Sequence, residues 1–350
     1  MNKKIIPIVA LFLFSIFIVK SLPAQEKHFK VACIAFYNLE NFYDTIDDPN
    51  KDDQEFLPEG SSKWNTQKFL TKLNHTAEVV SQIGDELVKN GPVIMGFSEI
   101  ENRQILVDIV NTPELKKEDY GIVHYDSPDK RGVDVGLIYQ KQSFTLLGSK
   151  PHRLTIPDME DFFTRDILEV SGLLDGDKLY ILVNHWPSRS KGEVQSAPLR
   201  AAAASLCRSI VDSLLKVDPN SKIVIMGDLN DDPNDASLIK FLKAKGNAEK
   251  LKPGELYNPM VKLFNNGIGS LAYRDSWNLF DQFVITPGLL NPAGNNGFKF
   301  LKAKVFNRKF LTQSDGQYAG YPFRTYAGGV YAGGYSDHFP IYLFLTKEVK

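Results

Sequence analysis

Apolar positions along the chain fall into two patterns. Short runs that are apolar at nearly every position occupy 31–36 (VACIAF), 93–97 (VIMGF), 133–139 (VDVGLIY), 179–184 (LYILVN), 222–226 (KIVIM), 280–286 and 339–345. Their length and their β-branched and aromatic content predict buried strands. Elsewhere the spacing is helical. Phe69, Leu70, Leu73, Ala77, Val80, Ile83 and Leu87 recur at three-four intervals until Gly91-Pro92 breaks the pattern. Leu199, Ala203, Leu206, Ile210 and Leu214 line one face of a second helix, with Pro198 suited to its first turn. Strand runs outnumber helices, and hairpin-like pairs occur mid-chain. This predicts an α/β fold of four layers, two packed sheets flanked by helices, rather than a doubly wound parallel sheet. No linker shows a shift in composition, so residues 25–350 read as one domain. The near-repeat Tyr326-Ala-Gly-Gly-Val and Tyr331-Ala-Gly-Gly-Tyr is too short for a solenoid unit.

The first residues read differently. Lys3 and Lys4 precede a run from Ile5 to Val19 that only Pro7 and Ser15 interrupt, and Lys20-Ser-Leu-Pro-Ala24 follows. A positive start, a short apolar stretch and a small-residue exit predict a secretory signal cleaved after Ala24. The run is short for a membrane span of about 20 residues, and no Cys follows it to carry a lipid. The mature protein is therefore expected in the periplasm or secreted, without a membrane anchor.

Composition narrows the class. Among 350 residues, 43% are hydrophobic and 24% charged, which excludes collagen, coiled coil and wholesale disorder. The 41 basic residues against 42 acidic ones exclude a strongly basic nucleic-acid coat. Loss of Lys3, Lys4 and Lys20 on cleavage moves the formal charge from −1 to −4. An anionic substrate must then be held by local charge or a metal, not by the field of the whole protein. Cys33 and Cys207 are the only cysteines. Both lie in apolar patterns and read as buried small residues in preference to a disulfide, and thiolate zinc sites are excluded. Residues 44–59 carry seven acids against Lys51 but no Asp-x-Asp-x-Asp-Gly loop. A solvated loop is the favoured reading there, over a loose calcium site.

Polar residues recur where apolar strands stop. Asn38 and Glu40 follow the first strand, Glu99 the second, His185 the LYILVN run, and Asp228 and Asn230 the KIVIM run. Asp281 opens a strand and Asp337-His338 precedes the last one. Strand ends on one edge of a sheet converge, and rigid elements place side chains accurately. Carboxylates, amides and two histidines would so share one cleft. The oxygen-rich set suits Mg²⁺, Mn²⁺ or Ca²⁺.

Taken in order, these segments resemble the endonuclease/exonuclease/phosphatase superfamily, the metal-dependent phosphodiesterases that include pancreatic deoxyribonuclease, exonuclease III-type abasic-site enzymes, bacterial sphingomyelinases and inositol-polyphosphate phosphatases. The resemblance rests on Tyr-Asn38-Leu-Glu-Asn-Phe-Tyr, Phe-Ser-Glu99-Ile-Glu-Asn, Arg131-Gly-Val-Asp-Val-Gly-Leu-Ile-Tyr, Val-Asn-His185-Trp-Pro-Ser, Met-Gly-Asp228-Leu-Asn230-Asp, Phe-Asp281-Gln-Phe-Val-Ile and Ser-Asp337-His338-Phe-Pro-Ile, spread over residues 31–345. It implies that Asn38, Glu99 and Asp337 hold the metal, with Glu99 the principal ligand. It implies that Asp228 positions or deprotonates the attacking water, and that Asn230 holds the water or phosphate. His338, oriented by Asp281, would contact the scissile phosphate, and His185 would donate to it or protonate the leaving group. His185 stands at the second histidine of the deoxyribonuclease and sphingomyelinase branches, where abasic-site enzymes carry a tyrosine-type strand end. Arg165 and Arg189 are candidates for phosphate contact, and Tyr335, with Tyr331, for stacking on a base, a sugar or a headgroup. A loop packed on the domain is the favoured reading for those tyrosines, and rim packing for Trp277.

The sequence therefore predicts an exported, divalent-metal-dependent phosphodiesterase acting by in-line attack of water, with nucleic acid as its first-choice substrate and no stable protein partner. Phospholipid (sphingomyelinase-like) or phosphate-monoester hydrolysis on the same site is the alternative. A catalytically silent binding protein is the second.

Overall fold

The computed structural model describes residues 28–292 and 297–349. The signal expected over residues 1–24 lies outside them. Among the described residues no helix is long and apolar enough to cross a membrane.

In chain order the elements are β1 (His28–Phe42), α1 (Thr66–Gln82), β2 (Ile94–Ile100), α2 (Arg103–Val110), β3 (Tyr120–His124), β4 (Asp134–Gln140), β5 (Phe144–His152), β6 (Ile167–Leu174), β7 (Asp177–His185), α3 (Glu193–Val217) and β8 (Ile223–Asp228). There follow β9 (Ala244–Lys245), β10 (Leu256–Tyr257), α4 (Met260–Asn265), β11 (Leu271–Tyr273), β12 (Ser276–Asn278), β13 (Asp281–Ile285), β14 (Lys299–Val305), β15 (Tyr326–Ala327), β16 (Val330–Tyr331) and β17 (Ile341–Val349). Two large mixed sheets result. One runs β14-β17-β1-β2-β4-β3 and the other β5-β6-β7-β8-β13-β10-β9. Their central parallel pairs, β1–β2 and β7–β8, are joined through α1 and α3, because parallel neighbours need a crossover connection.

Side-chain alternation decides the layers. In β8, Val224 and Met226 face the core between the sheets, while Ile223 and Ile225 join Leu182, Val284, Ala203 and Cys207 in a second core under α3. Strands buried on both faces read as the unbroken apolar runs seen in the sequence. The sheets approach closely at Gly96, where an added Cβ would stand 2.7 Å from Met226 Cε and 3.1 Å from Val183 Cγ1. Asn65 caps α1 by accepting the Lys68 N–H, and Asn102 caps α2 by accepting from Gln104 and Ile105. The four-layer α/β arrangement predicted from the sequence is the one observed.

Three expectations need correction. The first helix ends at Gln82, because Ile83 turns extended and drops into the core, so Leu87 lies on no helix. α3 starts at Glu193, which places Pro198 inside the helix rather than in its first turn. The carbonyl that Pro198 leaves unpaired belongs to Val194, an exposed residue near the helix start whose backbone water can solvate. The acidic 44–59 segment is not a wholly solvated loop. Asp53 is buried and accepts the Asp48 N–H, and Lys51 Nζ donates to the carbonyls of Ser127 and Asp129. Cys33 and Cys207 are buried and unbridged in separate cores.

Candidate active site

Register builds the site. His185 of β7 is paired with Asp228 of β8, and Asp228 with Asp281 of β13, so three adjoining strands present one functional residue each on a single rung. Gly227 lets β8 reach that rung, since a Cβ there would lie 2.1 Å from the Asn184 carbonyl oxygen. From the facing sheet, Asn38 pairs with Ser98 across β1 and β2. Beyond Asn38 the register shifts. Glu40 and Asn41 of β1 and Glu99 of β2 all take left-handed backbone angles, with φ of 51°, 53° and 59°. Paired bulges re-aim strand ends, and strained non-glycine residues gather where geometry serves function.

These elements bring Asn38, Glu99, His185 and Asp228 to one point. Asn38 Nδ2 donates to Glu99 Oε1 at 3.3 Å and to Asp228 Oδ2 at 3.0 Å, and Glu99 Oε2 accepts the Asn41 N–H at 2.8 Å. His185 Nε2 stands 3.7 Å from both Glu99 Oε1 and Asp228 Oδ2. Ligand atoms of Glu99, His185 and Asp228 all lie within 4.8 Å of one another. Asn230 follows at a φ of 51°. Its N–H meets Asp228 Oδ1 at 2.9 Å, and its Nδ2 donates to the Trp186 carbonyl at 3.0 Å.

The two histidines are electrostatic opposites. His338 Nδ1 donates to Asp281 Oδ2 at 2.6 Å, and Ser270 Oγ donates to the same oxygen at 2.5 Å. Burial works against a charge on His338. Asp281, with help from Asp337 and Asp228, outweighs it and lifts the imidazole well above its ordinary range. His185 is pushed well below that range, by burial first and then by Arg165, Arg131 and His338. At neutral pH one ring is a cation and the other neutral. Burial also raises the Asp228 carboxyl to about 7, with Asp281 and Glu99 adding to the shift and His338 opposing it.

Asp337 sits at the edge of this group. Its Oδ1 is 3.9 Å from His338 Nε2, and Arg324 donates to its Oδ2 at 2.6 Å. Glu40 lies beside it, accepting the Thr325 N–H, and burial plus the Asp337 charge lift its carboxyl to about 7. The buried Lys72 of α1 donates to Thr325 Oγ1 and to the Tyr335 carbonyl, fastening the 323–337 segment over the site.

The cationic candidates separate. Arg165 is buried beside the cluster, donating to Asp129 Oδ2 at 2.9 Å and to the Trp186 carbonyl at 2.6 Å. Arg189 reaches only its edge, its Nε donating to the Asn230 carbonyl at 2.8 Å. Its guanidinium is held by Asp231 at 3.0 Å, Asp235 at 2.6 Å and Glu193 at 3.1 Å, and lies over the Phe280 ring. Tyr335 also turns away, stacking on His75 and donating its hydroxyl to Glu78. Tyr331 packs against Tyr326 and Lys68, and Trp277 against Phe339. The sequence reading passed over Arg131, although it heads one of the quoted segments. Arg131 is half exposed and pairs with Asp129 at 3.2 Å; Asp129 and Glu99 favour its charge against burial, and that charge helps depress His185.

The donor set fits a hard divalent cation. It offers the carboxylates of Glu99 and Asp228 and one imidazole nitrogen, with no thiolate, while the Asn38 amide, whose Oδ1 accepts the Glu40 N–H, borders the group. Several buried polar atoms here lack a protein partner, among them His185 Nδ1, Ser98 Oγ and Asp281 Oδ1. A second group, His124, Asp126 and Asp134, is otherwise engaged: Asp134 accepts from the Ser127 N–H and hydroxyl and sits 3.0 Å from His124 Nε2.

Comparison with known proteins gives consistent results. The sequence model described as the Endonuclease/Exonuclease/phosphatase family matches residues 33–347. No curated protein matches. Among solved structures, a humanized D. rerio TDP2 superposes with a TM-score of 0.54 at 12% identity, covering 90% of this chain and 98% of that one. An endonuclease/exonuclease/phosphatase from Bacteroides vulgatus gives 0.52 at 15% identity, covering 90% and 98%. A mannosyl-6-phosphatase from Bacteroides thetaiotaomicron gives 0.52 at 16% identity, covering 90% and 99%. At such identities the likeness is one of fold.

Proposed function

Because this chain belongs to the endonuclease/exonuclease/phosphatase family, a family of metal-dependent phosphoric ester hydrolases, we propose that it is an exported phosphodiesterase that cleaves nucleic acid. One observation carries the chemistry: two sheets bring the carboxylates of Glu99 and Asp228 and the imidazole of His185 within 4.8 Å of one another, with the Asp281–His338 pair on the adjoining strand end.

Glu99 and Asn38, with Asp337 from the far side, are the residues that would hold Mg²⁺, Mn²⁺ or Ca²⁺. When bound there, such an ion neutralises charge on a phosphate oxygen during in-line attack. The rest of the work belongs to the chain. Asp228, its carboxyl lifted to about 7 and its Oδ2 held by Asn38 Nδ2, draws a proton from the attacking water, and Asn230 orients that water or the phosphate. His338 presents an N–H from Nε2 toward the developing charge while Asp281 keeps it protonated. Neutral His185 hydrogen-bonds a phosphate oxygen; with its basicity depressed it has no proton to give, and the leaving oxygen takes its proton from solvent. Arg131 and Arg165 supply local positive charge that the overall composition lacks.

Nucleic acid is the preferred substrate because a few arginines and one metal suffice for a single phosphodiester backbone, and because an exported enzyme of mild negative charge suits scavenging. A panel of plasmid DNA, RNA, bis-p-nitrophenyl phosphate, sphingomyelin and sugar or inositol phosphates, each with Mg²⁺, Mn²⁺, Ca²⁺ or EDTA, tests the reading. Metal-dependent cleavage of DNA or RNA is expected. Turnover confined to lipid or monoester substrates would replace it, and no turnover at all would favour the silent binding protein.

A further inference from the structure

A cavity of about 720 Å³ adjoins the catalytic face, with Asp337 and Arg324 in its lining. Two hairpins wall it, β11–β12 on one side and β15–β16 on the other, and the 313–323 segment closes a third side. The walls are braced on the catalytic strand ends. Trp277 of β12 stacks on Phe339, next to His338, and meets Tyr321 edge-on. Tyr321 in turn donates its hydroxyl to Asp275 Oδ1 at 2.7 Å.

What faces the cavity is specific in kind. Tyr273 and Tyr318 leave 63% and 52% of their surface exposed. Gln313 and Gln317 add two amides. Arg274 stands at the tip of the β11–β12 turn, stacked on Tyr273 with its Cζ 5.1 Å from the ring centre, and makes no ion pair among the described residues. Its backbone is unusual. Arg274 and Asp275 both take left-handed angles, φ 48° and 61°, in a two-residue turn that favours Asn-Gly. The facing turn, Gly328-Gly329, meets the same demand without strain. A strained arginine that presents its side chain to a cavity beside a catalytic site points to a ligand contact rather than to a turn built for stability.

Exposed aromatic faces, amides and an arginine with no acid partner, one side chain away from the phosphate site, are the chemistry that holds a nucleobase. Aromatic rings stack on its face, and Arg and Gln hydrogen-bond its edge. We propose that this cavity takes the base of one nucleotide flanking the scissile phosphate, with Tyr318 and Tyr273 as stacking residues and Arg274 on the base edge. The proposal rests on the nuclease reading above.

The test uses the dinucleotide thymidylyl-thymidine and two analogues that lack the base on the 5′ or the 3′ side, so that one phosphodiester is followed throughout. Removing the base on one side should raise KM by roughly 5- to 150-fold, the range of base–aromatic stacking. Removing the other should change it far less. Tyr318→Ala should raise KM for the intact dinucleotide by a similar factor, leave kcat near wild type, and have no further effect on the sensitive analogue. Phe241→Ala, an exposed aromatic outside this cavity, should leave all three unchanged. Equal KM for the intact dinucleotide and both analogues, or an unchanged KM in a Tyr318→Ala protein with wild-type circular dichroism, would overturn the cavity assignment while the nuclease reading stands. Turnover of sugar phosphates or phosphocholine esters, with no nucleotide cleaved, would overturn both.

Discussion

Asp281→Asn isolates the charge that holds His338 protonated. The substitution keeps the side-chain shape but removes the anion 2.6 Å from Nδ1. It also leaves one carbonyl oxygen where Oδ2 had accepted both that N–H and the Ser270 hydroxyl. Breaking a buried ion pair typically costs about 3–5 kcal/mol when the surviving charge is stranded. Here the imidazole can release its proton, so the loss should approach that of one charge-assisted hydrogen bond, about 1.5–3 kcal/mol. The pH dependence follows in sign. The folded imidazole keeps its proton to higher pH than the unfolded one, so the pair stabilises fully below about pH 6.5 and loses its contribution as pH rises through the raised folded value. Thermal denaturation should therefore show the variant several degrees below wild type at pH 6, with the gap closing in strongly alkaline buffer. Turnover of bis-p-nitrophenyl phosphate at pH 7 should fall on the order of 10²–10³-fold, the usual effect of losing a preorganised donor to developing charge. A variant equal to wild type in stability at pH 6, or a gap that stays constant with pH, would refute the assignment of His338 as a buried cation held by Asp281.

The other tests address separate groups. Glu99→Gln should keep the fold and lose most divalent-metal affinity in titration calorimetry; unchanged binding would remove Glu99 as principal ligand. His185→Ala and His338→Ala should each cost on the order of 10²–10⁴-fold on a nucleic-acid substrate, and neither should be rescued on a nitrophenyl ester, because both rings serve the phosphate rather than the leaving group. Rescue of His185→Ala on the ester would show that this ring gives a proton to the leaving group and would overturn its assignment as neutral. Burial, with Asp235 and Asp231 adding to it and the Leu279 N–H and Arg189 opposing it, lifts Asp232 to about 6. Between the ordinary aspartate range and that value, folded protein holds a proton that unfolded chain releases, so stability falls as pH rises through the window. Asp232→Asn should then raise stability at pH 8 by on the order of 1 kcal/mol after allowance for partial exposure, read as a higher melting temperature, and give no gain at pH 4; an equal gain at both would point to packing instead. Mass spectrometry of protein exported by its native host should find an N-terminus near Gln25, and a membrane-bound species retaining Met1 would count against the export signal.

Much of the site was legible because its residues sit where apolar runs stop. An apolar run marks a strand, and the polar residues at its ends mark the sheet edge, so His185 and Asp228 at strand ends and Asp281 at a strand start could be grouped before their shared rung was seen. What stayed hidden depends on partners brought from elsewhere. Arg189 looked free until the turn after β8 supplied Asp231 and Asp235. Lys72 falls within an apolar helical pattern that gives no sign its ammonium will be buried against Thr325. The strands β5 and β14 were missed because they are edge strands with exposed and lysine-bearing positions, which protect an open edge but blur the hydrophobic signal. The paired bulges at Glu40–Asn41 and Glu99 leave no mark in hydropathy at all.

The central position of β1, between β2 and β17, has a consequence for biosynthesis. One neighbour is made about 60 residues later, but the other, whose Phe344 is registered against Cys33, is made about 310 residues later. At ordinary translation speeds of about 5–20 residues per second, that interval is roughly 15–60 s. Throughout it one edge of β1 lacks its hydrogen-bonding partner. The same late segment carries Asp337, His338 and Ser336, whose hydroxyl donates to the Asn38 carbonyl. A nascent chain therefore holds Glu99, His185 and Asp228 long before it can complete the site around them. The strand that closes the first sheet is thus also the one that delivers Asp337 and His338, and a chain cut short before residue 336 would lack both and leave that edge of β1 unpaired.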